Sequence, residues 1–114
     1  MAISGSCHCG NIAFSIDQQP TQAIECNCSI CRRRAPLLSA VSPDEFRLET
    51  PRKNLATYTF NSHNIQHRHC AVCGCAPFSE GVGPGGQAMV MVNLRCTDAD
   101  LEGITRIPYD GASR

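Results

Sequence analysis

The sequence predicts a mostly β fold held together by more than its apolar core, on three observations. Short runs of alternating or β-branched residues recur along the chain, separated by Gly, Pro and Asn, and no long stretch carries the 3.6-residue apolar period of an amphipathic helix. Hydrophobic residues make up 42% of the chain but aromatic ones only 5%, with no Trp. A core with so few large side chains gains from a covalent or metal staple. Nine cysteines supply one, and an odd number cannot close completely into disulfides within one chain.

Length and charge narrow the function classes. At 114 residues the chain is read as one domain, 1–114. Ten basic residues balance ten acidic ones, which argues against a general nucleic-acid or membrane-surface binder. No apolar run approaches the roughly 20 residues of a membrane span. Met1-Ala2-Ile3-Ser4 has neither the charge nor the apolar stretch of a signal peptide, so the expected location is the cytoplasm. In a reducing compartment, dense cysteine points to metal before disulfides.

Taken in order, Cys7-His8-Cys9-Gly10-Asn11 is a thiol pair in a tight turn, followed by a strand over Ile12–Ile16. A turn through Pro20 leads to an extended run, Gln22–Glu25. The next stretch, Cys26-Asn27-Cys28-Ser29-Ile30-Cys31, reads as a reversing turn that aims three thiols at one point. Ala35–Val41 is apolar enough for a buried strand, Ser42-Pro43-Asp44-Glu45 for one capped helical turn, and Phe46–Glu49 alternates as a strand. Thr50–Asn54 is a loop; Leu55–Phe60 and Ile65–Cys70 are strands joined through Asn61–Asn64. Cys70-Ala71-Val72-Cys73-Gly74 is a knuckle whose Gly supplies a positive φ. Ala76–Ser79 is extended, Gly81–Gly86 is a hairpin connection or flap, and Ala88–Leu94 is the most apolar strand. Thr97–Leu101 carries an N-cap signal for a brief helix, and Ile104–Tyr109 is a last strand running into a turn.

The thiols divide by spacing. Cys7, Cys9, Cys70 and Cys73 are the halves of one four-thiolate site, closed and therefore structural. Cys26, Cys28 and Cys31 offer three ligands, and a zinc held by three protein ligands keeps a position for substrate. Together these groups resemble the glutathione-dependent formaldehyde-activating (GFA) family. The resemblance rests on Gly5-Ser6-Cys7-His8-Cys9-Gly10, Cys26 to Arg32, His69 to Gly74 and the closing Tyr109-Asp110-Gly111-Ala112-Ser113, and it covers almost the whole chain. It implies a β-tent of stacked antiparallel sheets, a structural zinc on Cys7, Cys9, Cys70 and Cys73, and a catalytic zinc on Cys26, Cys28 and Cys31. It also implies a carbon–sulfur lyase reaction joining formaldehyde to glutathione. This chain is similar to short members of the family, shorter than the glutathione-using enzyme.

Other residues invite roles of their own. Arg32, next to Cys31, is the candidate to hold a carboxylate of a thiol such as glutathione or to neutralise the anionic zinc site, whereas Arg33 and Arg34 read as a solvated rim. His63, His67 and His69 are candidates for a fourth ligand or a proton carrier, although surface or supporting positions are commoner for such residues. Cys75 and Cys96 read as small packed hydrophobes. The expected partner is a small thiol–aldehyde substrate. The rival readings are a non-catalytic zinc-stabilised β module that binds a partner protein, and a redox or metal sensor.

Overall fold

Val90 and Val92 are buried and alternate with half-buried Met89 and Met91, and this period of two sorts the main sheet into an inner and an outer face. The computed structural model describes residues 2–83 and 85–113. Among them the strands are β1 (Ile3–Ser6), β2 (Ala13–Ile16), β3 (Gln22–Cys26), β4 (Leu38–Val41), β5 (Phe46–Leu48), β6 (Leu55–Tyr58), β7 (Gln66–Cys70), β8 (Phe78–Val82), β9 (Ala88–Asn93) and β10 (Thr105–Tyr109). One α-helix, α1 (Ser29–Arg34), joins β3 to β4. The strands form a three-stranded sheet, β1-β2-β5, and a seven-stranded sheet, β10-β3-β4-β9-β8-β7-β6. The mostly β prediction holds.

The sheets meet through a small aromatic cluster. Phe14 of β2 and Phe46 of β5 stack at 5.3 Å, and Phe78 of β8 closes the triangle at 6.1 and 4.7 Å. Each ring pair of this kind is worth roughly 0.5–1.5 kcal/mol beyond area burial. Ile3, Ile12, Ile16, Val90, Val92 and Leu94 complete the same core. Three of the four phenylalanines are thus concentrated at one contact, which is how a chain poor in aromatics builds a core.

Local signals hold in most places. Pro43–Glu45 forms a 3-10 turn with Pro at its start, and the Ser42 amide donates to Glu45 Oε1 at 3.2 Å. The predicted Gly81–Gly86 connection is shorter than expected, since Gly81 and Val82 extend β8 and pair with Met89 and Ala88; beyond them, Gly83 N donates to Gln87 O at 2.8 Å and Gly86 takes φ +83° in the turn. Pro84 of that segment lies outside the described residues.

Four differences are informative. The predicted helix over Thr97–Leu101 does not form. Thr97 Oγ1 does accept from Ala99 N at 3.2 Å, but the backbone is drawn to β1: Thr97 bridges to Gly5, and Asp98 takes Ser4 through both its backbone N–H and its side chain, at 2.9 and 3.1 Å. The helical turn falls earlier, at Leu94–Cys96. Ser29–Arg34 is helical where a simple reversing turn was expected. Ala35, at φ +53°, ends that helix and Pro36 follows, so the predicted strand begins only at Leu38. The loop at Thr50–Asn54 contains a 3-10 turn, Arg52–Asn54. Finally, β10 pairs with β3 in parallel, the exception among the antiparallel ladders, and Pro108 is tolerated because β10 is an edge strand.

Candidate metal centres

Cys7 and Cys9 lie in the turn between β1 and β2, while Cys70 ends β7 and Cys73 lies in the turn before β8. The fold brings these four sulfurs within 4.8 Å of one another. Cys9 Sγ is 3.7 Å from Cys7 Sγ and 3.5 Å from Cys70 Sγ. A tetrahedron with metal–sulfur bonds of about 2.3 Å has edges of about 3.8 Å, so the spacing suits zinc. The two turns are built alike. Cys7 N donates to Ile12 O and Cys70 N to Cys75 O, both at 2.9 Å, and Gly10 and Gly74 take φ of +86° and +82°.

Amide donors aim at the sulfurs as well. Ile12 N reaches Cys7 Sγ at 3.3 Å, and Val72 N and Cys73 N reach Cys70 Sγ at 3.3 and 3.4 Å. Such donors favour thiolate. The backbone N–H groups of Cys75 and Cys9 hold the Cys73 thiol down to about 5, and that of Cys73 lowers Cys70. Cys9 goes the other way, to about 11. The Asn11 amide pulls it down, but the Cys70 thiol and desolvation together outweigh that pull. Four sulfurs this close resist joint ionisation unless a cation neutralises them, which is the donor chemistry of a metal site.

The second group is assembled locally. Cys26 closes β3, Cys28 caps α1 and Cys31 lies in its first turn. Their sulfurs also lie within 4.8 Å of one another, and among the described residues no fourth Cys, His, Asp or Glu joins them. Cys28 N donates to Cys26 Sγ at 3.4 Å. Burial works to raise Cys28, yet donors including the Cys31 amide and thiol outweigh it and keep Cys28 low. Cys31 is raised, by burial first and by the Cys28 thiol second.

Two residues that carried no role of their own in the sequence motifs shape this group. Gly111 packs so closely that a Cβ there would stand 2.5 Å from Cys26 Sγ and 3.1 Å from Cys28 Cβ. Asn27, between two of the thiols, fastens the C-terminal segment over them. Its Nδ2 donates to Asp110 Oδ1 at 3.1 Å, its Oδ1 accepts from Ala112 N at 2.9 Å, and its backbone N donates to Tyr109 O at 3.1 Å. The Asn between two cysteines and the small residue at 111 were visible in the sequence; that they meet was not.

Cys31 also lines a cavity of about 60 Å³ between α1 and the outer face of the large sheet, with Arg34, Leu38, His67, Ser79 and Met91. Burial, and after it the Arg34 charge, lower His67. Both Arg32 and Arg34 are exposed, but it is Arg34 that lines the cavity, while the Arg32 backbone N–H serves the helix by donating to Cys28 O at 2.8 Å. His69 is half-buried with an unpartnered Nδ1 and belongs to neither sulfur group, and His63 is exposed and bonded to Thr59 Oγ1 at 2.7 Å. Cys75 and Cys96 are partly buried outside both groups, and burial pushes Cys96 up to about 11. Among the described residues, no helix is long and apolar enough to cross a membrane.

Comparison with known proteins agrees with this geometry. A crystal structure of a Rhodobacter sphaeroides protein, 23% identical in sequence, superposes with a TM-score of 0.77 over 92% of this chain and 97% of that one. At that identity the likeness shows a shared fold. Residues 2–106 match the sequence model of the family described as glutathione-dependent formaldehyde-activating enzyme. With both cysteine groups in place and able to hold metal, the chain belongs to the GFA family.

Proposed function

We propose that this protein is a zinc-dependent carbon–sulfur lyase of GFA type, acting on the adduct of a thiol, such as glutathione, with a small aldehyde such as formaldehyde. The observation that carries the reading is the contrast in ligand number beside a cavity. Four sulfurs form one group, while the other group has three, and one of these, Cys31, lines a cavity that also presents Arg34 and His67. In this reading Cys7, Cys9, Cys70 and Cys73 hold a structural zinc, and Cys26, Cys28 and Cys31 hold the one that works. When bound, the second zinc supplies a cation beside which a substrate thiol ionises and an aldehyde oxygen is polarised.

The chain's own residues do the rest. Three thiolates on a divalent ion leave a formal charge of minus one, and the Arg34 guanidinium on the cavity wall compensates it. His67, whose basicity burial and Arg34 both lower, is neutral at pH 7 and can take or return the proton of the adduct hydroxyl as the carbon–sulfur bond breaks or forms. About 10–15 Å³ suffices for one water, so a cavity of about 60 Å³ suits a reacting group of a few heavy atoms. A second reading, a zinc-stabilised module that docks a partner protein, has one observation in its favour. Tyr58 and Ile65, 50% and 44% exposed, lie at the same end of the β6–β7 pair.

The deciding experiment measures zinc per chain with and without glutathione, calorimetry of glutathione binding, and exchange of labelled formaldehyde into a hydroxymethyl thioether. Two zincs, thiol binding and exchange, with binding and exchange abolished in Cys28→Ser, are expected. One zinc with no thiol binding and no exchange would overturn the lyase reading in favour of the docking module.

A further inference from the structure

Beside the cavity over Cys31 lies a second, more open groove of about 480 Å³, and Ile30 and Arg34 line both. On one side of the groove stands α1, contributing Ser29, Ile30, Arg33 and Arg34; on the other stand Tyr58 and Phe60. The rings are held in a stack, Tyr58 on Phe60 at 5.7 Å and Phe60 on His67 at 5.3 Å, with interplanar angles of 24° and 22°. Tyr58 nevertheless leaves half its surface in water. Arg33 Nη1 is fixed on Ser29 O at 2.8 Å. Among the described residues no carboxylate lies within 4.0 Å of Arg33 or Arg34, and the lining of neither space includes Asp or Glu.

We propose that this groove is a subsite for a flat, carboxylate-bearing group, the distal part of the molecule whose reacting end enters the cavity over Cys31. Its volume lies in the range of small-molecule sites, roughly 300–1,000 Å³, whereas the inner cavity is far below it. A guanidinium fork matches a carboxylate, and the ordered rings offer a face for a second planar group to stack on. The lining has no acid to receive an ammonium, so an aryl or enoyl carboxylate fits better here than an amino-acid group. Which molecule carries the group rests on the thiol–aldehyde reading; the groove itself does not.

The test is an NMR titration of the zinc-loaded protein with 4-methylbenzoate and, separately, with neutral 4-methylbenzamide. The expected result is saturable shifts at the amides of Ile30, Arg34, Tyr58 and Phe60 with the acid, and binding weaker by about tenfold with the amide. Arg34→Gln should weaken the acid by a similar factor and leave the amide unchanged, and Phe60→Ala should weaken both. Equal affinity for acid and amide, or shifts elsewhere, would overturn the proposal. That comparison uses the unaltered protein, so it decides even if a variant fails to fold. Benzoate binding at the groove without formaldehyde–thiol exchange would sink the lyase reading and leave the subsite standing; exchange without a benzoate site would do the reverse.

Discussion

The two thiol groups use the same side chain and differ in where their members come from. Cys9 and Cys70, 3.5 Å apart at sulfur, are 61 residues apart in the chain, and they tie the β1–β2 turn of the small sheet to the β7–β8 turn of the large one. Cys26, Cys28 and Cys31 lie within six residues and tie one strand end to the helix that follows. A metal that closes a long loop removes much of the unfolded chain's freedom, and one that closes a short loop removes little. Burial divides the groups only in part: Cys7 and Cys70 are buried, but Cys9 is exposed and Cys73 is partly buried like all three members of the local group. In the proposed reading, the distant group holds the fold and the local one exchanges with substrate.

The largest expected effect tests the first half of that contrast. Cys70→Ser should remove a ligand from the group that joins the sheets and forfeit metal-linked folding free energy on the order of 10 kcal/mol. The domain should then be unfolded at 25 °C, read by dispersion of its NMR spectrum. A folded, zinc-containing Cys70→Ser protein would break the comparison. Cys28→Ser should keep the fold and thermal transition close to those of the parent while zinc falls from two per chain to one. Collapse as severe as that of Cys70→Ser would show that both groups are structural.

Smaller changes sharpen the comparison. Gly111→Ala puts a methyl against Cys26 Sγ and Cys28 Cβ. Overpacking of this kind costs about 1–3 kcal/mol. It should weaken zinc at the local group, measured by competition with a chelator, and leave the distant group untouched. Asn27→Ala removes two side-chain hydrogen bonds to the C-terminal segment. Because the site is exposed, the expected loss is only about 1 kcal/mol. It should appear as faster hydrogen exchange at Ala112 with global stability unchanged. Unaltered exchange there would mean that the β3–β10 ladder alone holds the segment over the thiols.

Legibility followed the range of the interaction. The Ser42-Pro43-Asp44-Glu45 turn, the alternating β9 and the knuckle glycine at 74 declared themselves, because cap, period and positive φ are properties of a few neighbouring residues. Thr97–Leu101 misled for the same reason. Its cap was real, but β1 offered its hydrogen-bonding groups a better partner. The arginine on the cavity was hidden too. Which of three consecutive arginines faces the sheet depends on the phase of α1, and that helix had read as a turn.

From the sequence alone came the mostly β class, the partition of seven cysteines into four and three, and the family, because composition, spacing and motif order are properties of the chain itself. Only the tertiary structure decided what surrounds the three-thiol group. The Gly111 cover, the Asn27 clasp, the Arg34 and His67 wall and the ring-lined groove each require residues brought together by sheet register and helix phase. Those depend on packing between distant segments, and no local pattern encodes it.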